Sequence, residues 1–472
     1  MNSYYKSNKF KEVLKNYEDF LASNDLGTLT TDDFADVAQY YHEQHNDVKA
    51  IETADKALEL FPGSVAPLAF LSRYALLEEH STLKADDLAE KIDDKHDPDY
   101  FLLKAEIMIV DGRIGDADEY LESAYEEFYD DDYYDDMPLD VATLFIDYDA
   151  IDYADKWLQR SDETEDSEYI DVKARILMAH NDLEASKKLI DTLINRDPYS
   201  TEYWNLMTAV DLLAENYHDA VTSSDYALAI DPDNRDAILN KGNGVLGLGN
   251  SEEATRLFKR YAELEPEHET GYFMVAMTLL GQEHLNEAKE WFEKALKVNR
   301  ASQKKNWVNR AEILFQLAYI ENSFSHYAKA HAYLDELAEE YKDNLADNLD
   351  ELGMKLAEVD CAQGHVYLEE FNYDKAVDWF EQAVSDSDGD PEVFIRIAVS
   401  AFECFQLHYA YDILHQVIYQ NGIEDEKGLR YLSYCCKLLE KKDEEIWALN
   451  KLSKLSKPDD NSDENIEKPK NK

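Results

Sequence analysis

Along most of this chain apolar residues recur every three or four positions, in helix-length runs separated by short polar links. That spacing is the period of one helical face, and no stretch alternates as a strand would. The pattern therefore predicts a long series of amphipathic helices. Three prolines punctuate the series at one spacing: Pro198, Pro232 and Pro266 stand 34 residues apart. Arg196-Asp197, Ile230-Asp231 and Leu264-Glu265 precede them, each pair closing an apolar run. Proline suits the position because it lacks an N–H and cannot continue a helix. A fixed period of this size signals stacked repeats, in which each unit buries its apolar face only against its neighbours.

The segment Arg235 to His268 gives the register. Gly242 stands at its eighth position, Ala254 at the twentieth, Phe258 at the twenty-fourth and Pro266 at the thirty-second. Small residues at the eighth and twentieth positions let two antiparallel helices approach, and large apolar residues fill the seam. Thr201 to Asn234 carries Trp204, Ala220, Ala227 and Pro232; Glu269 to Ser302 carries Tyr272, Ala276, Ala288, Phe292 and Ala295, with Arg300 replacing the proline. These segments resemble the tetratricopeptide repeat, a helix-turn-helix unit. The same register extends to segments beginning near Thr31, Val65, Pro98, Asp135, Ser167, Ala311, Ala357, Pro391 and Leu429, after a lone helix near Asn8 to Ala22. The expected fold is all-α, a right-handed superhelical α-solenoid of about twelve such repeats.

In proteins of this family the first helices line a concave groove that binds extended peptides or helices of partner proteins. Groove-facing positions are the second, fifth, sixth, ninth, twelfth and thirteenth of the first helix. The resemblance therefore implies a peptide-binding groove containing Asn205, Ala209, Asn240, Asn243, Phe273, Met274, Met277, Gln316, Tyr319 and Asn322. Asparagine can hold a peptide backbone through paired donor and acceptor bonds, and Met and Phe give adaptable apolar contact. The apolar members serve equally well as packing between repeats. These assignments require Trp204, Gly242 and Phe258 to be interior. Asp236 lies one turn before Asn240, where gripping a C-terminal carboxylate would want a lysine. A basic or apolar partner segment fits better.

Charge sharpens this picture. The chain has 102 acidic and 47 basic residues, a net charge of −55, which repels nucleic acid and anionic lipid. Such a surface attracts basic partners, and it also simply keeps a protein soluble. The last repeat is locally basic through Lys427, Arg430, Lys437, Lys441, Lys442, Lys451, Lys454 and Lys457, a feature compatible with head-to-tail self-association. The expected default is a monomer.

Chemistry-bearing motifs are sparse. Cys361, Cys404, Cys435 and Cys436 include no C-x-x-C, so their spacing describes neither a disulfide framework nor a zinc site. Reduced thiols fit a cytoplasmic location. Met1 to Phe20 has no apolar signal core, and no run reaches a membrane-spanning length. His42 and His45 stand three apart, whereas the H-E-x-x-H metal motif needs four. The acidic run Glu126 to Asp136 reads as a solvated link, Asp386 to Glu392 as a turn that only superficially resembles a calcium loop, and Gly242 to Gly249 as helix and turn. The sequence thus names no catalytic, cofactor-binding or metal-binding residue.

The expected organisation is a capping helix in residues 1–30, a repeat array in 31–302, and an irregular repeat with an acidic helical insertion in 303–356. C-terminal repeats and a cap follow in 357–457, then a disordered polar tail in 458–472. The function expected is a non-enzymatic interaction scaffold or adaptor without cofactors. The alternative is a regulatory subunit or substrate receptor of an enzyme complex.

Overall fold

The computed structural model describes residues 5, 7–23, 25–44, 46–128, 136–161, 164–302, 306–346 and 348–455. Residues 129–135 of the acidic run, His45 and the tail 458–472 lie outside them. Every regular element among the described residues is helical, and the chain is an all-α solenoid.

Two compact units divide it. The first opens with α1 (Asn8–Ser23) and continues as seven helix pairs. They are α2 (Thr31–Glu43) with α3 (Asp47–Leu60), α4 (Val65–Leu77) with α5 (Thr82–Ala89), and α6 (Pro98–Val110) with α7 (Ile114–Phe128). Next come α8 (Met137–Asp147) with α9 (Ile151–Leu158), α10 (Ser167–Ala179) with α11 (Leu183–Arg196), α12 (Thr201–Leu213) with α13 (Tyr217–Ile230), and α14 (Arg235–Gly247) with α15 (Ser251–Leu264). Helix α16 (Glu269–Gly281) closes this unit. The second unit holds most of α17 (Leu285–Ala301) and four pairs. These are α18 (Trp307–Ser323) with α19 (Tyr327–Asn344), α20 (Leu349–Glu369) with α21 (Tyr373–Asp386), α22 (Pro391–Glu403) with α23 (Leu407–Leu414), and α24 (Glu426–Leu438) with α25 (Lys442–Leu455). A π-helical segment, His415–Gln420, extends α23.

The pairing follows from the small-residue positions. Ala220, Ala227, Ala254, Ala376 and Ala383 are all fully buried. A Cβ on Gly242 would overlap the ring of Phe258, and one on Gly364 would overlap Phe380 in the same way. Only glycine lets α14 meet α15, and α20 meet α21, at that distance. Trp204 is half-buried; its indole N–H donates to the Pro198 carbonyl at 3.0 Å and its ring stacks on Tyr226. Where the twentieth position is polar, as at Ser186, the hydroxyl donates to the carbonyl of Ala174 at 2.8 Å.

A first helix packs on its own second helix and, in several pairs, also on the first helix of the next pair, as α12 touches α13 and α14 and α20 touches α21 and α22. Where first helices meet in this way they lie on one side of the unit. The turn inside each described pair after the first carries one residue in the left-handed conformation, from His80 through Asp149, Asn181 and Glu215 to Phe371 and Phe405. The following N–H then caps the helix end: Asn216 donates to the Asp211 carbonyl at 2.8 Å and Gln406 to that of Ala401 at 2.8 Å.

Within the acidic stretch Tyr341 to Lys355, residues 341–344 form the last turn of α19 and residues 349–355 the first turns of a 21-residue α20. Asn348 caps α20 by accepting from the Glu351 N–H at 3.3 Å. In the segment Asp386 to Glu392, residues 387–390 form the turn between α21 and α22, with Asp388 and Gly389 both left-handed.

Candidate functional site

A cavity of about 250 Å³ opens on the first-helix layer of the second unit. From α18 come Phe315, Tyr319 and Asn322, at the fifth, ninth and twelfth positions of the 34-residue register. Helix α20 contributes Ala362 and His365 at the sixth and ninth, and α22 contributes Arg396, Val399 and Glu403 at the sixth, ninth and thirteenth. Lys427 of α24 stands at one end. One set of register positions, taken from successive repeats, lines one cavity.

The lining is largely apolar and includes two partly exposed aromatic side chains. Tyr319 is 55% exposed and Phe315 37%, one helical turn apart on α18. The side-chain oxygen of Asn322 is shut off from solvent and accepts no hydrogen bond among the described residues. It is an unmet acceptor at the edge of an apolar surface, suited to a ligand N–H. Charge at the cavity is mixed. The guanidinium of Arg396 pairs with Glu358 at 3.0 Å and Glu392 at 2.9 Å, so its charge is already matched. Glu403 and Lys427 are exposed, and Glu403 accepts from the Tyr431 hydroxyl at 3.5 Å. Cys361 lies in the cavity wall, and burial pushes its thiol up to about 12, which leaves it protonated and unreactive at neutral pH.

Tyr319 and Asn322 line this cavity, whereas Gln316 turns along α18 and donates to Glu312 at 2.7 Å. The remaining expected groove residues lie in the first unit. Asn240 and Asn243 are half-buried on α14, and Phe273, Met274 and Met277 half-buried on α16. Asn205 donates to Asn234 Oδ1 at 3.1 Å, and Asn234 caps α14 by accepting from the Ala237 N–H at 2.8 Å. The Asn205 side chain therefore has a structural duty between repeats. His365, Arg396 and Val399 were not singled out from the sequence, although applying the same positions to the repeats at Ala357 and Pro391 selects them.

Among the described residues, the group best placed to hold a metal is His365, Glu369 and Cys404, whose donor atoms all lie within 4.8 Å of one another. No described helix is long and apolar enough to cross a membrane.

Paired antiparallel helices at a 34-residue period, with small residues at the contact positions and a layer of first helices, define a helical repeat protein. The family model described as "Tetratricopeptide repeat" matches residues 270–302 and 358–385, so the chain contains tetratricopeptide repeats there. Repeats of this family serve protein–protein interaction and are typically non-catalytic. No curated protein matches the sequence. Among solved structures, a tetratricopeptide repeat protein from Parabacteroides merdae is 14% identical, with 57% of this chain and 98% of that chain covered and a TM-score of 0.42. The Cut9–Hcn1 hetero-tetramer of APC/C is 13% identical, covering 95% of this chain and 91% of that chain, with a TM-score of 0.36. MamA is 16% identical over 40% of this chain and 92% of that chain, with a TM-score of 0.32.

Proposed function

We propose that this protein is a non-enzymatic scaffold that holds a short segment of a partner protein, as a peptide or a helix, against the first helices of its second unit. The observation that carries the reading is the cavity beside Phe315, Tyr319 and Asn322, where exposed aromatic surface lies next to an unmet acceptor. Aromatic anchors in a largely apolar concavity are the usual energetic centre of a peptide interface. The preferred segment has an apolar or aromatic anchor with basic flanks, because Glu403 faces the cavity and the whole chain carries −55. Asn240, Asn243, Phe273, Met274 and Met277 form a second contact face in the first unit. The protein acts as a monomer in the cytoplasm and binds neither nucleic acid nor membrane.

A displayed peptide library selected against the whole chain tests this reading. Selected peptides should share an apolar anchor with Lys or Arg beside it. Tyr319→Ala should weaken them by about 10- to 100-fold, the range of an interface hot spot. Peptides that bind Tyr319→Ala and Phe315→Ala as tightly as the parent would refute it.

A further inference from the structure

At the rim of the same layer, His365 and Glu369 stand one helical turn apart on α20, and Cys404 follows the last residue of α22. A ring nitrogen of His365, a carboxylate oxygen of Glu369 and Sγ of Cys404 are mutually within 4.8 Å, and all three residues are half-buried. The Cys404 thiol points at Glu369 Oε1 across 3.6 Å. We propose that His365, Glu369 and Cys404 form a three-ligand site for a zinc-class divalent cation, with a fourth position left open.

The donor set selects the ion class. One nitrogen, one sulfur and one oxygen suit borderline-soft Zn²⁺, whereas calcium and magnesium want oxygen throughout. Zinc bonds of about 2.0–2.3 Å bring tetrahedral ligand atoms to roughly 3.3–3.6 Å from one another, so side-chain adjustment alone closes the present triangle. The thiol gives its proton to solvent as the Zn–S bond forms. Acidic residues abound in this chain, so acidity alone argues nothing. What distinguishes Glu369 is its company. In the same unit Glu321 is paired with Lys289 at 2.8 Å and His326 at 2.6 Å, and Glu340 with Arg310 at 2.6 Å. Among the described residues, Glu369 is paired with no Lys or Arg and meets a thiol and an imidazole instead. His365 also lines the cavity, so the open fourth position lies beside the surface that contacts ligands.

The experiment is a titration of the metal-free, reduced full-length protein with Co²⁺, followed by displacement with Zn²⁺. The expected result is one equivalent of Co²⁺ with a near-ultraviolet thiolate-to-cobalt band, bleached by one equivalent of Zn²⁺. Cys404→Ser should abolish the band; His365→Gln and Glu369→Gln should weaken metal binding by at least about 10-fold. Cys436→Ser should keep the band, because that thiol is enclosed in the core of the unit. Circular dichroism checks that each variant is folded, and Glu369→Gln, nearly isosteric, carries the test if Cys404→Ser does not fold. A parent protein without the thiolate band, or a folded Glu369→Gln variant with unchanged affinity, overturns the proposal. Either result is independent of whether the neighbouring cavity binds a peptide.

Discussion

Single positions decide how closely the helices meet. Gly242 and Gly364 occupy the same register position, and each faces a buried phenylalanine of its partner helix. Gly242→Ala and Gly364→Ala should each destabilise the chain by about 1–3 kcal/mol through overpacking, read by urea unfolding. The turns hold the opposite case. Phe371 and Phe405 are left-handed, with φ of 61° and 60°, and they are 78% and 86% exposed. A bulky side chain in that conformation carries strain without compensating burial. Phe405→Gly should therefore raise stability by about 1 kcal/mol, and a loss would contradict the turn geometry. Asp360 gives a pH signature. Burial, then the hydrogen bond and charge of Asp386, raise its carboxyl to about 7. The folded state therefore holds this proton more tightly than the unfolded chain. The associated stability is present below pH ~4 and is lost as pH rises through about 7. Asp360→Asn should flatten the decline between about pH 4 and 7 in thermal melts, while Asp140→Asn removes a similar decline that ends near about 6.

Between elements, one inter-repeat contact recurs in different chemistry. The twenty-first position of one repeat meets the eleventh of the next. Lys187 pairs there with Asp211 at 2.6 Å, Lys289 with Glu321 at 2.8 Å, and the His331 ring lies tilted against that of Tyr367 at 4.1 Å between centroids. Glu321 is fully buried, so removing its lysine leaves a carboxylate with only His326 and the more distant Lys329. Lys289→Met alone should cost about 2 kcal/mol, and Lys289→Met combined with Glu321→Leu should recover most of it. A double variant no better than the single would mean the pair is not a unit. Elements were legible from sequence wherever the punctuation held. The helix after Pro198 begins at Thr201, and Pro232 and Pro266 follow the ends of α13 and α15. Legibility failed where it lapsed. With Arg300 in place of proline, α17 runs on to Ala301, and α18 begins at Trp307, four residues before the register start at Ala311. Residues 349–356 add about two turns to the start of α20, ahead of the register start at Ala357, where the sequence shows an acidic helical insertion. The His365, Glu369 and Cys404 cluster was hidden differently. Two members are one turn apart, but Cys404 lies 35 residues beyond Glu369, and only stacking of repeats brings it back.

For the whole molecule, charge and modularity set the behaviour. A net charge of −55 repels itself, and no comparable excess of cations offsets it. Thermal stability should rise as sodium chloride goes from 10 to 300 mM, because the Debye length falls from about 30 Å to below 10 Å. Stability unaffected by salt would mean the acidic groups are locally neutralised. Two compact units, each built from nearest-neighbour pairs, should also open separately in hydrogen exchange, since repeat arrays unfold by neighbouring blocks.

The most direct test of the central claim is the hydrogen-exchange footprint of a selected peptide on the whole chain. Protection should concentrate in α18, α20 and α22 and vanish in Tyr319→Ala. Protection confined to α19, α21 and α23, or retained in full by Tyr319→Ala, would contradict a partner segment held against the first-helix layer.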